Sequence, residues 1–110
     1  MYFCSKSSEM LTIETLNRID FEKESQVFKA LANPIRLKMI GLLLNDECCV
    51  SDITNILGIS QSTASQHLAV LKYNGIVSPK KHGTKTCYII DNTEIKDIIK
   101  ILINKSLLTD

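Results

Sequence analysis

Apolar residues recur at helical spacing through most of the chain, and the interruptions fall where helix caps and stops belong. From Glu9 to Ala32 the pattern is helical and divides into two pieces near Asp20, with Val27, Phe28 and Leu31 on one buried face. Asn33-Pro34 predicts a fresh helix start. An Asn side chain accepts from the free amides of a first turn, and Pro at the first helical position lacks the amide that would be unpaired there anyway. Leu37, Met39, Ile40, Leu43 and Leu44 keep helical spacing up to Asn45. After the short apolar pair Cys49-Val50, Ser51 is expected to cap a helix from Asp52 to Leu57 that stops at Gly58. Ser60 is expected to cap the next, Gln61 to Tyr73, which ends at Asn74-Gly75.

The period changes after Gly75. Ile76 to Lys81 and Thr84 to Ile90 predict two strands, with Lys81-His82-Gly83-Thr84 as the hairpin tip. Asp91 or Asn92 then caps a last helix, in which Ile95, Ile98, Ile99 and Leu102 form a stripe that Ile101, Ile103, Leu107 and Leu108 widen. At about 100° per residue this stripe covers roughly two thirds of the circumference, more than one core requires. The helix is therefore expected to be buried on two sides, one of them against a second subunit. Two short helices joined through Gly58-Ile59-Ser60 make a helix-turn-helix. The predicted fold is a winged helix-turn-helix, mainly α with a two-stranded β-hairpin wing. It forms one domain over residues 9–110 behind a flexible segment of residues 1–8, and it is a homodimer through its first and last helices.

A chain of 110 residues, 45% of them hydrophobic, can bury a core and is not disordered. No apolar run approaches the roughly 18 residues of a membrane span, and Met1-Tyr2-Phe3-Cys4-Ser5-Lys6 lacks the marks of a signal peptide. The expectation is a cytoplasmic protein without membrane contact, whose Cys4, Cys48, Cys49 and Cys87 are reduced by default. A net charge of +1 speaks at first against a nucleic-acid partner. Its distribution reverses that impression. Between Asp52 and Asp91 there is no Asp or Glu, and Lys72, Lys80, Lys81 and Lys85 give residues 53–90 a formal charge of +4, which leaves +1 − 4 = −3 on the remainder.

Within the helix-turn-helix, Ile53, Ile56, Leu57, Ile59, Ala64, Leu68 and Leu71 are expected to lock the two helices together. Ser60, Gln61, Ser62, Thr63, Ser65 and Gln66 remain as an uncharged polar face at the start of the second helix. Such side chains hydrogen-bond to base edges and phosphates in the major groove. Solvated helix faces ordinarily carry Glu and Lys, and this one carries neither before Lys72. Lys80, Lys81, His82 and Lys85 surround the hairpin tip and suit a wing lying along phosphates. A double-stranded DNA operator is the expected partner. His67, spaced from Ala64 and Leu71 so as to border the buried face, reads as a structural hydrogen-bonding residue ahead of a ligand or base reader. Neither a nucleophile elbow nor a phosphate-cradling Gly loop is present, so no enzyme is expected. A winged helix can also dock on proteins, but the basic wing and polar helix face favour DNA.

These residues resemble the ArsR/SmtB family of small bacterial winged-helix repressors over about Phe28 to Leu102. The match rests on Ala30-Leu31-Ala32-Asn33-Pro34-Ile35-Arg36-Leu37, on Glu47-Cys48-Cys49-Val50-Ser51-Asp52-Ile53, and on Leu57-Gly58-Ile59-Ser60-Gln61-Ser62-Thr63-Ala64-Ser65-Gln66-His67-Leu68. Leu71-Lys72 and Gly75-Ile76-Val77 extend it. The resemblance implies a transcriptional repressor, homodimeric, released from its operator by a metal, metalloid or redox signal. In thiol-dependent metal sensors of this family a Cys-Val-x-Asp segment supplies ligands together with N-terminal residues of the other subunit. Cys49-Val50-Ser51-Asp52 fits the Cys and Asp positions, with Ser51 in place of a second Cys. Cys4 would be the N-terminal thiolate, with Cys48 or Glu9 nearby. Two thiolates and a carboxylate would suit zinc, cadmium or As(III) as inducer. The family's second site, built from Asp and His on the last helix, is absent, because Asn92, Glu94, Lys105 and Leu108 stand there. Three readings of the cysteines stay open. They are inert buried thiols, a metal or metalloid site of Cys4, Cys49, Asp52 and Cys48, or oxidation in which Cys48 or Cys49 pairs with another Cys.

Overall fold

The computed structural model describes residues 11–108. The expectations that involve Cys4 and Glu9, the segment 1–8, and the side chain of Leu108 lie outside what is described. Among the described residues, six helices and three strands follow in the order α1 Ile13–Arg18, α2 Phe21–Leu31, α3 Pro34–Leu43, β1 Cys48–Cys49, α4 Val50–Leu57, α5 Gln61–Tyr73, β2 Val77–His82, β3 Lys85–Ile90 and α6 Thr93–Leu108.

Local chemistry sets most of these boundaries. The expected break near Asp20 is real, since Asp20 Oδ1 accepts from Lys23 N at 3.0 Å and starts α2 afresh. Asn33 Oδ1 accepts from both Ile35 N and Arg36 N, at 2.9 and 3.1 Å, with Pro34 next to it in the first turn of α3. Gly58 ends α4 in the left-handed conformation at φ 66°, which an L side chain rarely adopts. Ser60 Oγ accepts from Thr63 N at 3.1 Å and caps α5, and Asn92 Oδ1 accepts from Ile95 N at 3.0 Å to cap α6. One cap differs from expectation. Helix α4 begins at Val50, not Asp52, with Cys49 as N-cap residue and no side-chain cap bond, so Ser51 is already inside the helix.

The sheet also differs from the expected two-stranded wing. Strand order is β1-β3-β2, all antiparallel, with Cys48 opposite Tyr88, Cys49 opposite Cys87, and β2 paired to β3 from Val77–Ile90 to His82–Lys85. The two residues of β1 carry no alternation from which a strand could be read. The chain reverses between β2 and β3 through Gly83 and Thr84, Gly83 at φ 64°.

Most of the core is built where the apolar spacing predicted it, but Phe28 and Ile56, both expected on buried faces, are 53% and 61% exposed. Met39, Ile40, Ile53, Ala64, Leu68, Leu71 and Ile76 are completely buried, joined by Val27, Leu31, Leu43, Val77, Ile95 and Ile99. Ala64 puts only a methyl group into the α4–α5 contact, which lets the two helices approach closely. Side chains alternate across a strand. Cys48, Val77, Tyr88 and Ile90 pack on the core side, and Cys49 and Cys87 therefore lie on the opposite face with Lys80 and His82. Cys87 is nonetheless only 1% exposed.

Helix α6 leaves much of its apolar stripe uncovered in a single chain. Ile95 and Ile99 are buried, but Ile101 is 68%, Leu102 54% and Leu107 68% exposed. Leu37, Ile99, Leu102, Ile103 and Leu107 line an apolar groove of about 240 Å³. No helix among the described residues is long and apolar enough to cross a membrane.

Candidate nucleic-acid interface

Helix α5 owes its position to packing on one side and polarity on the other. Ala64, Leu68 and Leu71 are buried, and Gln61, Ser62, Ser65, Gln66 and Lys72 are exposed. Ser60 and Thr63 are engaged in the helix start, with Ser60 Oγ donating to Thr63 Oγ1 at 2.9 Å. Their hydroxyls thus hold the first turn and present fewer free groups than their neighbours. Ser62 Oγ lies 3.2 Å from Ser60 Oγ.

Arg36 of α3 ties this helix to α2 and α3. Its Nε donates to the Ala30 carbonyl at 2.6 Å and its Nη1 donates to His67 Nδ1 at 3.1 Å. His67 is half-buried, and the bond gives it the structural role expected from its spacing. Because arginine only donates, His67 accepts through Nδ1.

The wing stands beside the exposed start of α5. Gln61 and Ser65 share a cleft of about 420 Å³ with Ser51 and Thr54 of α4 and with Thr84, Lys85 and Thr86 of the wing. Thr54, Thr84 and Thr86 were missed by the sequence reading, because each is an ordinary β-branched polar residue whose place in a cleft depends on tertiary packing. Lys80, Lys81 and Lys85 are exposed on the two wing strands. His82 Nε2 lies 2.5 Å from Glu47 Oε2, so a phosphate contact from this residue competes with a carboxylate already in place. Glu47 is five residues upstream of the acid-free interval and returns in space to the wing tip.

The cysteines separate into two environments. Cys49 and Cys87, 38 residues apart, form a disulfide across β1 and β3. Cys48 points the other way and is a free thiol, and its burial together with the nearby Asp52 carboxylate pushes that thiol upward from its usual range. Cys48 lies on the core side of the sheet, while Cys49 turns to the far face. Among the described residues, the donors that converge are Glu47, His82 and Cys87, whose ligand atoms lie within 4.8 Å of one another.

The sequence and the fold have counterparts among known proteins. The family model described as bacterial regulatory protein, arsR family, matches residues 33–78. The transcriptional activator HlyU of Vibrio cholerae is 36% identical over 91 residues, covering 79% of this chain and 84% of the relative. The structure of its reduced form superposes with a TM-score of 0.75 at 33% identity, covering 82% of this chain and 94% of that one. The cadmium resistance transcriptional regulatory protein CadC of Listeria innocua is 38% identical over 90 residues, covering 81% of this chain and 76% of the relative. The homodimeric winged helix-turn-helix DNA-binding domain of a possible ArsR-family regulator from Mycobacterium bovis has a TM-score of 0.72 at 25% identity, covering 94% and 96% of the two chains.

Proposed function

The chain belongs to the arsR family of bacterial regulatory proteins, and from that premise we propose that it is a homodimeric repressor that reads an operator with α5 and grips the flanking phosphates with its wing. The observation that carries this reading is the exposed, uncharged face of Gln61, Ser62, Ser65 and Gln66 beside the wing lysines Lys80, Lys81 and Lys85. Polar side chains of this length reach base edges in the major groove, and lysines supply the sequence-independent attraction. Pairing of two chains is supported by the uncovered stripe of α6 and the groove beside Leu37. The homodimeric counterpart from Mycobacterium bovis supports it further. Titration onto double-stranded DNA at two salt concentrations tests the reading. Affinity that falls steeply with salt supports it, and no binding at low salt would favour a protein-docking winged helix instead.

The signal that releases the operator is placed at the thiols. Two readings are open to a regulator with CadC among its relatives. One is a soft metal ion held through Cys4, Cys49, Asp52 and Cys48. The pairing of Cys49 with Cys87, on the face of the sheet opposite Cys48, weighs against that set. The second is oxidation, favoured by the bond between Cys49 and Cys87. There, a peroxide removes two electrons from the two thiols and leaves as water. The bond ties the start of α4 to the wing, so making or breaking it acts on both DNA-facing parts together. Operator affinity of the oxidised and the dithiol-reduced chain, compared in metal-free buffer, tests this. Equal affinities would remove the redox reading and leave the repressor reading untouched.

A further inference from the structure

On the outer face of the sheet, beside the wing tip, a group of donors converges. Glu47 leads into β1, His82 ends β2 and Cys87 lies in β3, with ligand atoms within 4.8 Å of one another. Cys49 contributes a second sulfur, since it is bonded to Cys87. We propose that the reduced chain binds a zinc-class divalent ion here, through the two sulfurs of Cys49 and Cys87, the imidazole of His82 and the carboxylate of Glu47. This set shares only Cys49 with the family-type combination of Cys4, Cys49, Asp52 and Cys48, and it needs no second subunit.

The donor chemistry is specific. Two sulfurs, one imidazole and one carboxylate make a four-ligand set of the kind that zinc takes in tetrahedral sites, and magnesium or calcium would not select sulfur. Zinc bonds of about 2.0–2.3 Å place ligand atoms roughly 3–4 Å apart, so the atoms of Glu47, His82 and Cys87, within 4.8 Å of one another, need draw in only a little. His82 Nε2 and Glu47 Oε2 already face each other at 2.5 Å, the imidazole and carboxylate side by side as ligands to one ion would be. The cluster lies on the side of the sheet away from the core, and the His82 side chain is 56% exposed, so an ion has a path in. Two thiolates and a carboxylate around a divalent ion leave one net negative charge. Lys80, opposite Cys87 in the register, stands on the same face to offset it.

The oxidised chain offers no thiolate at this place. A dithiol reductant supplies two electrons and two protons, the S–S bond opens to two thiols, and the reductant leaves as its own disulfide. The ion then displaces both thiol protons to solvent and forms two metal–sulfur bonds, with no further electron transfer. Disulfide and metal are therefore alternative occupants of one position.

The site is tested without DNA. The full chain, reduced with a dithiol that is then removed anaerobically, is titrated with Co(II) as a spectroscopic probe and back-titrated with Zn(II). The expected result is one ion per chain, with sulfur-to-cobalt charge-transfer bands and the intense visible bands of tetrahedral cobalt. The oxidised chain should show none of them. His82→Ala and Glu47→Gln, both at exposed positions, should each weaken binding by about 10-fold or more. The double variant Cys4→Ser with Cys48→Ser should keep the full spectrum. No cobalt bands in the folded, reduced chain would overturn the proposal. So would a spectrum indifferent to His82 and Glu47, or one lost with Cys4 and Cys48.

Discussion

Arg36 Nη1 donates to His67 Nδ1 at 3.1 Å, and through this bond the N-terminal turn of α3 holds the middle of α5. The same guanidinium donates from Nε to the Ala30 carbonyl at 2.6 Å, so one side chain ties α2, α3 and α5 together. Arg36→Ala leaves two half-buried acceptors without this donor and is expected to cost about 1–3 kcal/mol of stability. Arg36→Lys should recover little of it, because an ammonium cannot reproduce the two-armed geometry. Urea unfolding checks both. A double-mutant cycle with His67→Ala should show a coupling of at least about 0.5 kcal/mol.

Residues at the start of α5 divide into those that hold the helix and those that face outward. Ser60→Ala removes the cap bond to Thr63 N and is expected to lower stability by about 1 kcal/mol. Gln61→Ala and Ser62→Ala should leave unfolding unchanged within about 0.5 kcal/mol while weakening binding to the preferred DNA sequence. Thermal unfolding and gel-shift titration on the same three variants separate the two effects.

Wing lysines should act without regard to sequence. Lys80→Ala and Lys81→Ala are each expected to weaken binding to all duplexes alike. Each should also reduce the slope of log affinity against log salt by about 1. His82→Ala should change that slope less than either lysine variant, because Glu47 already accompanies the imidazole. Fluorescence titrations across a salt series measure all three.

The uncovered face of α6 predicts a dimer that one charge can disrupt. Leu102 is 54% exposed in the single chain and lines the apolar groove beside Leu37. Leu102→Glu would place a carboxylate in a desolvated contact between subunits. Sedimentation should show the parent chain as a dimer and this variant as a monomer with its helical signal intact.

The helix-turn-helix was legible because each boundary has a local chemical cause. Asn33, Ser60 and Asn92 cap where their side chains can reach free amides, and Gly58 stops α4 by backbone freedom alone. What was not legible depends on pairing at a distance. Strand β1 is two residues long, and it acquires its identity only from β3, 38 residues away. That pairing decides which sulfur faces which side of the sheet. It joins Cys49 to Cys87 and leaves Cys48 a free thiol on the core side, an assignment that adjacent cysteines in a sequence cannot express. Charge shows the same limit. The acid-free interval between Asp52 and Asp91 suggested a purely basic wing, yet Glu47 folds back onto its tip at His82.

Selection of bound duplexes from a random-sequence DNA pool tests the central claim most directly. The parent chain should enrich an imperfect inverted repeat with half-site centres about 10–10.5 base pairs apart. Gln61→Ala with Ser62→Ala should lose that preference while still binding DNA at low salt. Failure to enrich any sequence, or enrichment of the same repeat by the double variant, would contradict the account.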